Sequence, residues 1–590
     1  MHSAHELMTR WPALDVAAKR ARLDNSLHLS PGLADAVASS AAIAERAASG
    51  VWRAVPSTWS RDADTQKAIA DRLGWVSSPL LMADSVDRLE TFAASIKRNG
   101  FTDVVLLGMG GSSLAPEVLR AVVGVAPGWP RLHMLDSTDP AAVRSAATPP
   151  DHTLYLLASK SGTTIEPNSL AAHFRQRLQD AGIPRWADHF VAITDEGTEL
   201  DRRARAEHFR DVFINPSDIG GRYSALSFFG MVPAALMGQD VGQIVGWSLA
   251  MLAACEPGST AAVANPAVGL GLVMGAAAQD GRDKLTLIAP PSLDAFGLWV
   301  EQLIAESTGK NGTGIVPIAG EPLTGAAVYG IDRLFVRMRG HGAPGEDARD
   351  EAIRAIKATH APVVEIDMPE PLALGAEFMR WEIATAVAGA ILEINPFDQP
   401  NVQQAKDATN VLLAEYKAKG RLPLATPDRI LDRIELTLTS AARNALPDAG
   451  ADALLTLLHP GDYFALLAYL GPDQTLADDL QALRHAVRDR ARVATMFGYG
   501  PRYLHSTGQL HKGGPNSGVF VLISANARED VPIPGELFSF GTLELAQAIG
   551  DFASLEATGR RAVHAHLPSP DAALIGALAD VLLSHLPGSG

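Results

Sequence analysis

The sequence predicts an α/β protein, in which two tandem doubly wound parallel-sheet domains precede a smaller C-terminal α/β subdomain. From Phe101 onward, short apolar runs rich in β-branched residues alternate with helical patterns, which is typical of parallel βαβ units. A second series of this kind begins near Ala261, and one clear strand pattern recurs near the C-terminal end. The chain has 590 residues, 47% of them hydrophobic and 20% charged. It is therefore long enough to bury several cores without disulfide or metal support.

These patterns divide the chain into four parts. Residues 1–85 contain Ala-rich helical patches and no convincing strand, so we predict a helical N-terminal segment. Residues 86–255 form the first sheet domain, with strands in TDVVLLG, HTLYLLAS and FVAIT. Residues 256–425 form the second, with strands in KLTLIAP, RLFVRM and PVVEIDM. The Pro- and Gly-containing stretch GRLPLATPDR spans the boundary to the subdomain of residues 426–590. In that subdomain SGVFVLISA predicts a strand, and helices are predicted for DYFALLAYL, LADDLQALRHAVRDRARVATMFG and DAALIGALADVLLSHL.

Charge and cysteine content restrict the partners and the compartment. With 50 Lys and Arg against 66 Asp and Glu, the net charge is −16, which disfavours binding to nucleic acid. The single cysteine, Cys255, excludes an intrachain disulfide and multi-cysteine metal sites, and it fits a reducing cytoplasm. The N-terminal stretch lacks the unbroken apolar run of a signal peptide. The most apolar window, from Ala261, is interrupted by Asn265 and Pro266, so we predict a buried helix and no membrane partner.

The first candidate motif is TDVVLLGMGGSSLAPEVLR. A strand ends at Leu107, glycines follow, and a helix begins near Ser112, so backbone N–H groups gather where an anion can bind. A dinucleotide site would use Asp136 as its ribose-binding acid, but it requires a third glycine where Ser113 stands. A tight turn that simply needs glycine is the other alternative.

The second candidate motif, Ser159–Thr164 (SKSGTT), joins a predicted strand to a helix with Pro167 in its first turn. Four hydroxyls, one ammonium and the helix dipole converge there, a set that suits a phosphate ester without a metal. The order differs from that of a nucleotide P-loop. A polar turn with a capping threonine is the simpler alternative.

Three further stretches, GGRYSALS, WVEQLIAESTGKNGTGI and EINPFDQPNVQQAK, complete a pattern that resembles the phosphoglucose isomerase family, with its sugar isomerase (SIS) fold. The resemblance covers roughly residues 90 to 420, and the motifs stand in the family's order. It implies two SIS-type domains and reversible isomerisation of glucose 6-phosphate to fructose 6-phosphate through ring opening and a cis-enediol. It also implies a hexose phosphate ligand, no cofactor and no metal, and it is compatible with a homodimer.

The resemblance implies four catalytic residues: Glu306 as the general base, Arg222 as the group that stabilises the enediolate, Lys406 as a substrate contact and His505 for ring opening. It implies substrate binding by Gly111, Ser112, Ser159, Lys160, Ser161, Thr163, Thr164, Glu166, Gly221, Gln302 and Gln399. The chemistry agrees, because a carboxylate beside two carbons can move a proton between them and a guanidinium stabilises the negative charge that develops. Taken singly, each residue is also compatible with a solvated helix carboxylate or a surface ion pair.

The histidine departs from the family pattern. In the family it lies between the ESxGK glutamate and FDQ...K, but residues 312–391 hold only His341 and His360, in unrelated contexts. The stretch GYGPRYLHSTGQLHKGGPN resembles the bacterial LHSxGQ motif and points to His505. His511 and a purely structural histidine pair are the alternatives. The changed order, together with SFGTLELAQAIGDFASL, resembles the C-terminal region of transaldolase–phosphoglucose isomerase fusions.

The changed order leaves the source of the histidine open. In the family's usual dimer it comes from the neighbouring subunit, whereas here the C-terminal subdomain can supply it within one chain. About a hundred residues precede the first SIS-like strand, too few for a transaldolase barrel of about 250 residues, so we expect no second activity. Two other functions fit the motifs. One is a sugar-phosphate sensor, which would need Ser159–Thr164 but not Glu306, and the other is an isomerase of another phosphosugar such as mannose 6-phosphate.

Overall fold

A computed structural model describes residues 3–340 and 343–587, so His341 lies outside the described residues. The N-terminal segment is mainly helical, with α1 (Ala4–Thr9), α2 (Val16–Arg20), α3 (Pro31–Trp52), α4 (Ala63–Ala70), α5 (Ser78–Ala83) and α6 (Val86–Arg98). The prediction that residues 1–85 contain no strand is wrong, because β1 (Asn25–His28) is extended. Four residues are too few for a period-2 pattern to be recognised, and β1 is extended because it pairs with a sheet formed later in the chain.

The first sheet has five parallel strands in the order β3-β2-β4-β5-β6, and the strands predicted for it are confirmed. They are β2 (Asp103–Leu107), β3 (Arg131–Leu135), β4 (Thr153–Ala158), β5 (Phe190–Asp195) and β6 (Asp211–Asn215). The helices of this part are α7 (Leu114–Val122), α8 (Pro140–Ser145), α9 (Ile165–Asp180), α10 (Glu199–Ala206), α11 (Phe228–Leu236) and α12 (Val241–Ala254). The strand order reverses between β2 and β4, and ligands of open α/β sheets bind at such a point.

The second sheet has the order β1-β10-β9-β7-β8, with β1 antiparallel at its edge. Its other strands are β7 (Lys284–Ile288), β8 (Val316–Ile318), β9 (Arg333–Gly340) and β10 (Val363–Met368), and its helices are α13 (Val268–Gln279), α14 (Asp294–Thr308), α15 (Glu346–Ala358), α16 (Leu374–Ile391) and α17 (Val402–Lys419). The apolar window from Ala261 contains α13, which is buried against α3 and α16 as predicted. In the described part of the chain, no helix is both long and apolar enough to span a membrane.

The C-terminal sheet has six strands in the order β11-β12-β16-β15-β13-β14, so this subdomain is not smaller in strand number than the others. Its elements are β11 (Arg429–Leu431), β12 (Ile434–Leu438), α18 (Ser440–Ala445), β13 (Tyr463–Tyr469), α19 (Gln474–Ala491), β14 (Ala494–Tyr499), α20 (Gly508–Gly513), β15 (Gly518–Ala525), α21 (Phe540–Ala557), β16 (Arg561–Leu567) and α22 (Ala572–Ser584). The helix predicted for DYFALLAYL is wrong, since this run is β13, and the end of the next predicted helix is β14. Every residue of β13 is buried, and a short run of that kind has no periodicity that separates a strand from a helix.

The parallel strands of all three sheets follow one topology. In each, the first strand of the series lies between the second and the third, as in β3-β2-β4-β5, β8-β7-β9-β10 and β14-β13-β15-β16. This is the flavodoxin-like order of doubly wound sheets. The predicted fold class, two tandem doubly wound domains followed by an α/β subdomain, is confirmed.

Helix α21 connects the C-terminal subdomain to the rest of the molecule. One hydrophobic core is shared by the N-terminal segment and the first two sheets, and the C-terminal sheet and its helices have a core of their own. A further cluster joins Leu157 of the first sheet to Leu413 of α17 and Leu543 of α21. Helix α17, which we assigned to the second domain, thus packs on α21. This packing holds α21 against the carboxyl end of the first sheet.

Candidate active site

The first group of predicted residues lies between β4 and α9. Ser159 follows β4 directly, and Thr164 is the residue before the first turn of α9. Their hydroxyl oxygens are 3.3 Å apart, and the Ser159 hydroxyl accepts a hydrogen bond from the Gly162 N–H at 3.1 Å. Gly162 has a φ of +72°, which favours glycine. Because the Thr164 side chain caps none of the N–H groups of α9 in the described structure, those groups remain available to an anion.

The other side chains of this turn differ in their surroundings. Ser161 and Thr163 are exposed, and their hydroxyl oxygens are 3.0 Å apart. The Lys160 ammonium forms an ion pair with Asp195 and donates a hydrogen bond to the carbonyl of Ser217 at 2.7 Å. The charge of Lys160 is thus balanced within the protein. The donors of this motif that remain for an anion are therefore its hydroxyls and its backbone N–H groups.

The glycine motif after β2 lies directly against the motif that contains Arg222. A Cβ atom on Gly111 would be 1.9 Å from the carbonyl oxygen of Gly221, so only glycine allows the two backbones to approach this closely. Ser112 completes the 3-10 turn Gly110–Ser112 beside this contact. The predicted residues Gly111, Ser112 and Gly221 are therefore neighbours in space.

Arg222 is held in one place by several acceptors and lies beside Glu306. Its side chain is 3% exposed, Nε donates to Oγ of Ser307 at 2.7 Å, and Nη2 donates to the Pro396 carbonyl at 2.7 Å. Nη1 lies 3.4 Å from Oε1 of Glu306. Glu306 stands near the end of α14 and is 8% exposed. The structure thus brings together the two residues that the resemblance assigns to base and charge stabilisation.

The turn around Asp398 completes the surroundings of Arg222. Nη1 of Arg222 also donates to Oε1 of Gln399 at 3.1 Å, and Nη2 donates to the Asp398 carbonyl at 3.0 Å. Lys310, for which no role was predicted, donates to Oδ1 of Asp398 at 2.6 Å and to the Asn395 carbonyl at 2.8 Å. Burial and the nearby Arg222 charge lower the pKa of Lys310 to about 8, against the opposing effect of Asp398. Lys310 thereby fixes the turn that holds Arg222.

Gln302 connects Glu306 to the histidine that follows β14. Its Nε2 donates to Oε2 of Glu306 at 3.3 Å and to the backbone carbonyl of His505 at 2.7 Å. A Cβ on Gly110 would lie 2.7 Å from the same carbonyl oxygen, so the glycine turn also touches this loop. His505 ends the 3-10 turn Arg502–His505, which belongs to the C-terminal subdomain of the same chain. All these contacts are made within one chain.

His505 forms a partly buried pair with Glu166 of α9. Nε2 of His505 lies 3.0 Å from Oε1 of Glu166, which is 3% exposed, and Nε2 of Gln547 donates to the same oxygen at 2.7 Å. Burial acts to raise the pKa of the Glu166 carboxyl. The charge of His505, the hydrogen bond between His505 and Glu166, and the charge of Lys406 act in the opposite direction and outweigh burial, so this pKa lies below its usual range. The carboxylate is therefore ionised at neutral pH and can balance a positive charge on the imidazole.

A cavity of about 310 Å³ lies between the SKSGTT turn and α17. This volume is at the lower end of the range for small-molecule sites, about 300 to 1,000 Å³. The predicted residues that line it are Thr163, Thr164, Glu166, Lys406 and His505. Lys406 is exposed on α17. Among residues 3–340 and 343–587, no group of three or more His, Cys, Asp or Glu side chains is arranged to hold a metal ion.

His511 and Asp136, on which the alternative interpretations depend, both form contacts inside the protein and do not line this cavity. His511 is 1% exposed, its Nδ1 lies 3.2 Å from the Tyr463 hydroxyl, and burial lowers its pKa to about 3, so it is a neutral core residue. Asp136, the acid that a dinucleotide site would use, accepts hydrogen bonds from Ser113 at 2.9 Å and from Arg502 at 2.6 Å. Asp136 therefore joins the first sheet to the loop that carries His505.

Comparison with known proteins gives an independent assignment. The family model described as phosphoglucose isomerase matches residues 85–313. A glucose-6-phosphate isomerase from Cyanothece sp. is 28% identical over 428 residues, which cover 64% of this chain and 79% of that protein. Another, from Thermosynechococcus vestitus, is 32% identical over 356 residues, which cover 53% of this chain and 66% of that protein. The chain belongs to the phosphoglucose isomerase family.

The fold of the phosphoglucose isomerase domains is also found in a solved structure. A hypothetical protein from Thermus thermophilus aligns over its whole length with 66% of this chain, at a TM-score of 0.55 and 24% identity. At this identity the likeness concerns the fold alone.

Sequence reasoning assigned no role to several residues that contact the predicted ones. Lys310 lies inside the quoted ESTGK motif, so its position was visible although its partner Asp398 was not. Gln547 lies within the quoted stretch SFGTLELAQAIGDFASL, but it is 381 positions away from its partner Glu166. Gln509 of LHSTGQ donates to the Gly309 carbonyl at 2.9 Å and ties this motif to the end of α14. These contacts depend on tertiary packing, for which the sequence pattern gives no local signal.

Proposed function

We propose that this member of the phosphoglucose isomerase family is a glucose-6-phosphate isomerase, an aldose–ketose isomerase that interconverts glucose 6-phosphate and fructose 6-phosphate. One observation carries the proposal: Gln302 joins the pair of Glu306 and Arg222 to the loop of His505, which in turn pairs with Glu166. Proton transfer at carbon and ring opening need two separate acid–base groups. The two pairs supply both.

Substrate binding begins with the phosphate group. In our proposal it lies at the start of α9, where the Ser159 and Thr164 hydroxyls and the backbone N–H groups of a 16-residue helix act as donors. The positive end of the helix dipole favours the phosphate charge. Lys406, which lines the same cavity, and Gln399, which is held by Arg222, contact the sugar.

Ring opening falls to His505 and Glu166. The imidazole moves a proton between the ring oxygen and the hydroxyl at C1, so that the C1–O5 bond opens. The Glu166 carboxylate, 3.0 Å from Nε2, fixes the ring and balances the positive charge while the imidazole carries two protons.

Isomerisation itself falls to Glu306 and Arg222. The carboxylate removes the proton from C2 of the open aldose, which gives a cis-enediolate, and then delivers a proton to C1, while O1 gains and O2 loses a proton. The Arg222 guanidinium, 3.4 Å from Glu306 and fixed by its other acceptors, stabilises the negative charge on the enediolate oxygens. No cofactor takes part in the proposal.

A coupled assay tests this function. Purified protein is given fructose 6-phosphate without added metal, and the formation of glucose 6-phosphate is followed. Turnover supports the proposal. Binding of sugar phosphate without turnover would indicate a sensor, and turnover of mannose 6-phosphate alone would indicate a different phosphosugar isomerase.

The proposal includes a homodimer in the cytoplasm, in which each chain completes its own site with its own His505. The support for a site completed within each chain is that the contacts of His505 with Glu166 and Gln302 lie within one chain. Mixing inactive His505→Ala with inactive Glu306→Gln, under confirmed subunit exchange, tests this. Absence of recovery supports a site within one chain, whereas restored activity shows that the site is shared between chains.

A further inference from the structure

A buried chain of hydrogen bonds leads from the first sheet to the predicted ring-opening pair. The Thr138 hydroxyl donates to Oε1 of Gln547 at 2.8 Å, and Nε2 of Gln547 donates to Oε1 of Glu166 at 2.7 Å. Nε2 of His505 lies 3.0 Å from that same carboxylate oxygen. Thr138, Gln547 and Glu166 are 0%, 2% and 3% exposed, so water does not compete for these contacts.

The two partners of Gln547 define the orientation of its amide. An ionised carboxylate only accepts hydrogen bonds, so the amide must present its N–H to Glu166. The Thr138 hydroxyl then donates to the amide oxygen on the other side. Rotating the amide by half a turn would place its oxygen against the carboxylate and leave N–H groups facing the threonine. The carboxylate thus fixes the orientation in which Gln547 is a donor to Glu166, and the Thr138 hydroxyl satisfies the amide oxygen.

We propose that Gln547 is a positioning residue of the reaction, which holds the Glu166 carboxylate ionised and aimed at His505. This inference rests on the proposed function, and it extends the site to a helix beyond residues 85–313. Gln547 acts through Glu166 and does not need to touch the reacting atoms. Helix α21 of the C-terminal subdomain thereby supports both members of the pair, since Asp551, one turn further along, accepts a hydrogen bond from Tyr503 in the His505 loop.

The charged and titratable groups that face Glu166 come from three elements. They are His505 after β14, Lys406 on α17 and Tyr469 at the end of β13. Burial keeps Tyr469 protonated, because it raises the pKa of its hydroxyl well above the usual value. His505 and Lys406 lower the pKa of Glu166 against burial. A hydrogen bond to the ionised form acts in the same direction, so loss of the Gln547 N–H must raise the pKa of Glu166.

The test compares Gln547→Met, which keeps the length of the side chain but has no N–H, with Ser554→Ala. Ser554 is an equally buried residue of α21 that only donates to the Gly550 carbonyl, so its loss affects the helix alone. We expect the acidic limb of the ratio of kcat/KM for the cyclic hexose phosphate to kcat/KM for an open-chain substrate, in which the titration of the base Glu306 cancels, to move upward by about one pH unit in Gln547→Met. In Ser554→Ala the limb stays in place. Inhibition by inorganic phosphate, which reports on the start of α9, remains unchanged in both.

An unchanged acidic limb in folded Gln547→Met would overturn the inference, even if kcat fell, because a merely structural role lowers activity at every pH. If Gln547→Met does not fold, Gln547→Leu takes its place. This variant also lacks the N–H that Glu166 accepts, and a limb that does not move upward there would equally overturn the inference. A wild-type protein without isomerase activity would instead refute the proposed function on which the inference rests.

Discussion

Replacing Arg222 by lysine keeps the positive charge but removes the planar guanidinium, whose several N–H donors hold the site together. The guanidinium donates to Ser307 Oγ, Gln399 Oε1 and the carbonyls of Pro396 and Asp398 at 2.7 to 3.1 Å, from three different nitrogens. A lysine ammonium has three donors on a single atom and cannot reach acceptors that surround a planar group. We therefore expect Arg222→Lys to remove the donors to the two acceptors on buried residues, Ser307 Oγ and the Pro396 carbonyl, whereas Asp398 and Gln399 are exposed.

The size of the effect follows from these contacts. Each buried acceptor that loses its donor costs about 1 to 3 kcal/mol, so two of them lower the free energy of unfolding by about 2 to 6 kcal/mol. The charge also moves away from the position where the enediolate forms, and removal of one fixed donor to a developing negative charge lowers kcat by about 10²–10³-fold. We expect a loss of kcat of this size in Arg222→Lys.

The assay is steady-state isomerisation of fructose 6-phosphate, with urea unfolding and phosphate inhibition measured on the same preparations. Inhibition by inorganic phosphate should persist in Arg222→Lys, because Ser159 and Thr164 do not contact Arg222. Arg282→Lys is the matched control, since Arg282 is half-buried and donates to one backbone carbonyl far from the site. A kcat within about threefold of the parent in Arg222→Lys would refute the reasoning.

Three further predictions concern the anion site and buried charges. Ser159→Ala combined with Thr164→Ala should weaken inhibition by inorganic phosphate about tenfold or more, since both hydroxyls are donors at the start of α9, and undiminished inhibition would place the anion site elsewhere. Burial raises the pKa of Glu301 to about 7, so the folded state holds this proton more tightly than the unfolded state and loses stability as the pH rises from about 4.3 through 7. Glu301→Gln should therefore unfold at a higher urea concentration than the parent above pH 7, with a difference that closes toward pH 4.3, and an equal difference at every pH would contradict this. Asp551→Asn breaks an ion pair at 2.6 Å to the buried Lys512 and should lower the free energy of unfolding by about 3 to 5 kcal/mol. Glu415→Gln breaks an exposed pair with Lys419 and should lower it by less than about 1 kcal/mol. Equal losses in the two variants would show that burial does not determine the free energy that an ion pair contributes.

The parts of the site that could be predicted from the sequence are those with local signals. The SKSGTT turn follows an apolar strand and precedes a helix with an early proline, so its place at the carboxyl end of a sheet followed from local pattern. Glu306 and Arg222 lie in motifs that resemble one family, and their 3.4 Å approach agrees with that expectation. The pairing of Lys160 with Asp195 had no such signal, because the direction of a long side chain is decided by tertiary contacts.

The errors in the fold have a similar cause. The run YFALLAY of β13 is buried on both faces of a mainly parallel sheet, so it lacks the alternation that marks a half-exposed strand. The strand β1 is four residues long and extended only because it pairs with β10, more than 300 residues later. Gln547 lies in a helix whose sequence pattern predicts burial but not the carboxylate that it meets.

Exchange of the C2 hydrogen with solvent deuterium tests the central claim most directly, because it isolates proton transfer at carbon from ring opening. The measurement uses an open-chain substrate with wild-type protein, Glu306→Gln and His505→Ala. We predict rapid exchange by the wild type, a loss of about 10²–10⁴-fold in Glu306→Gln, and a much smaller loss in His505→Ala. Exchange by Glu306→Gln within about threefold of the wild type would contradict the account, since Glu306 would then not be the base.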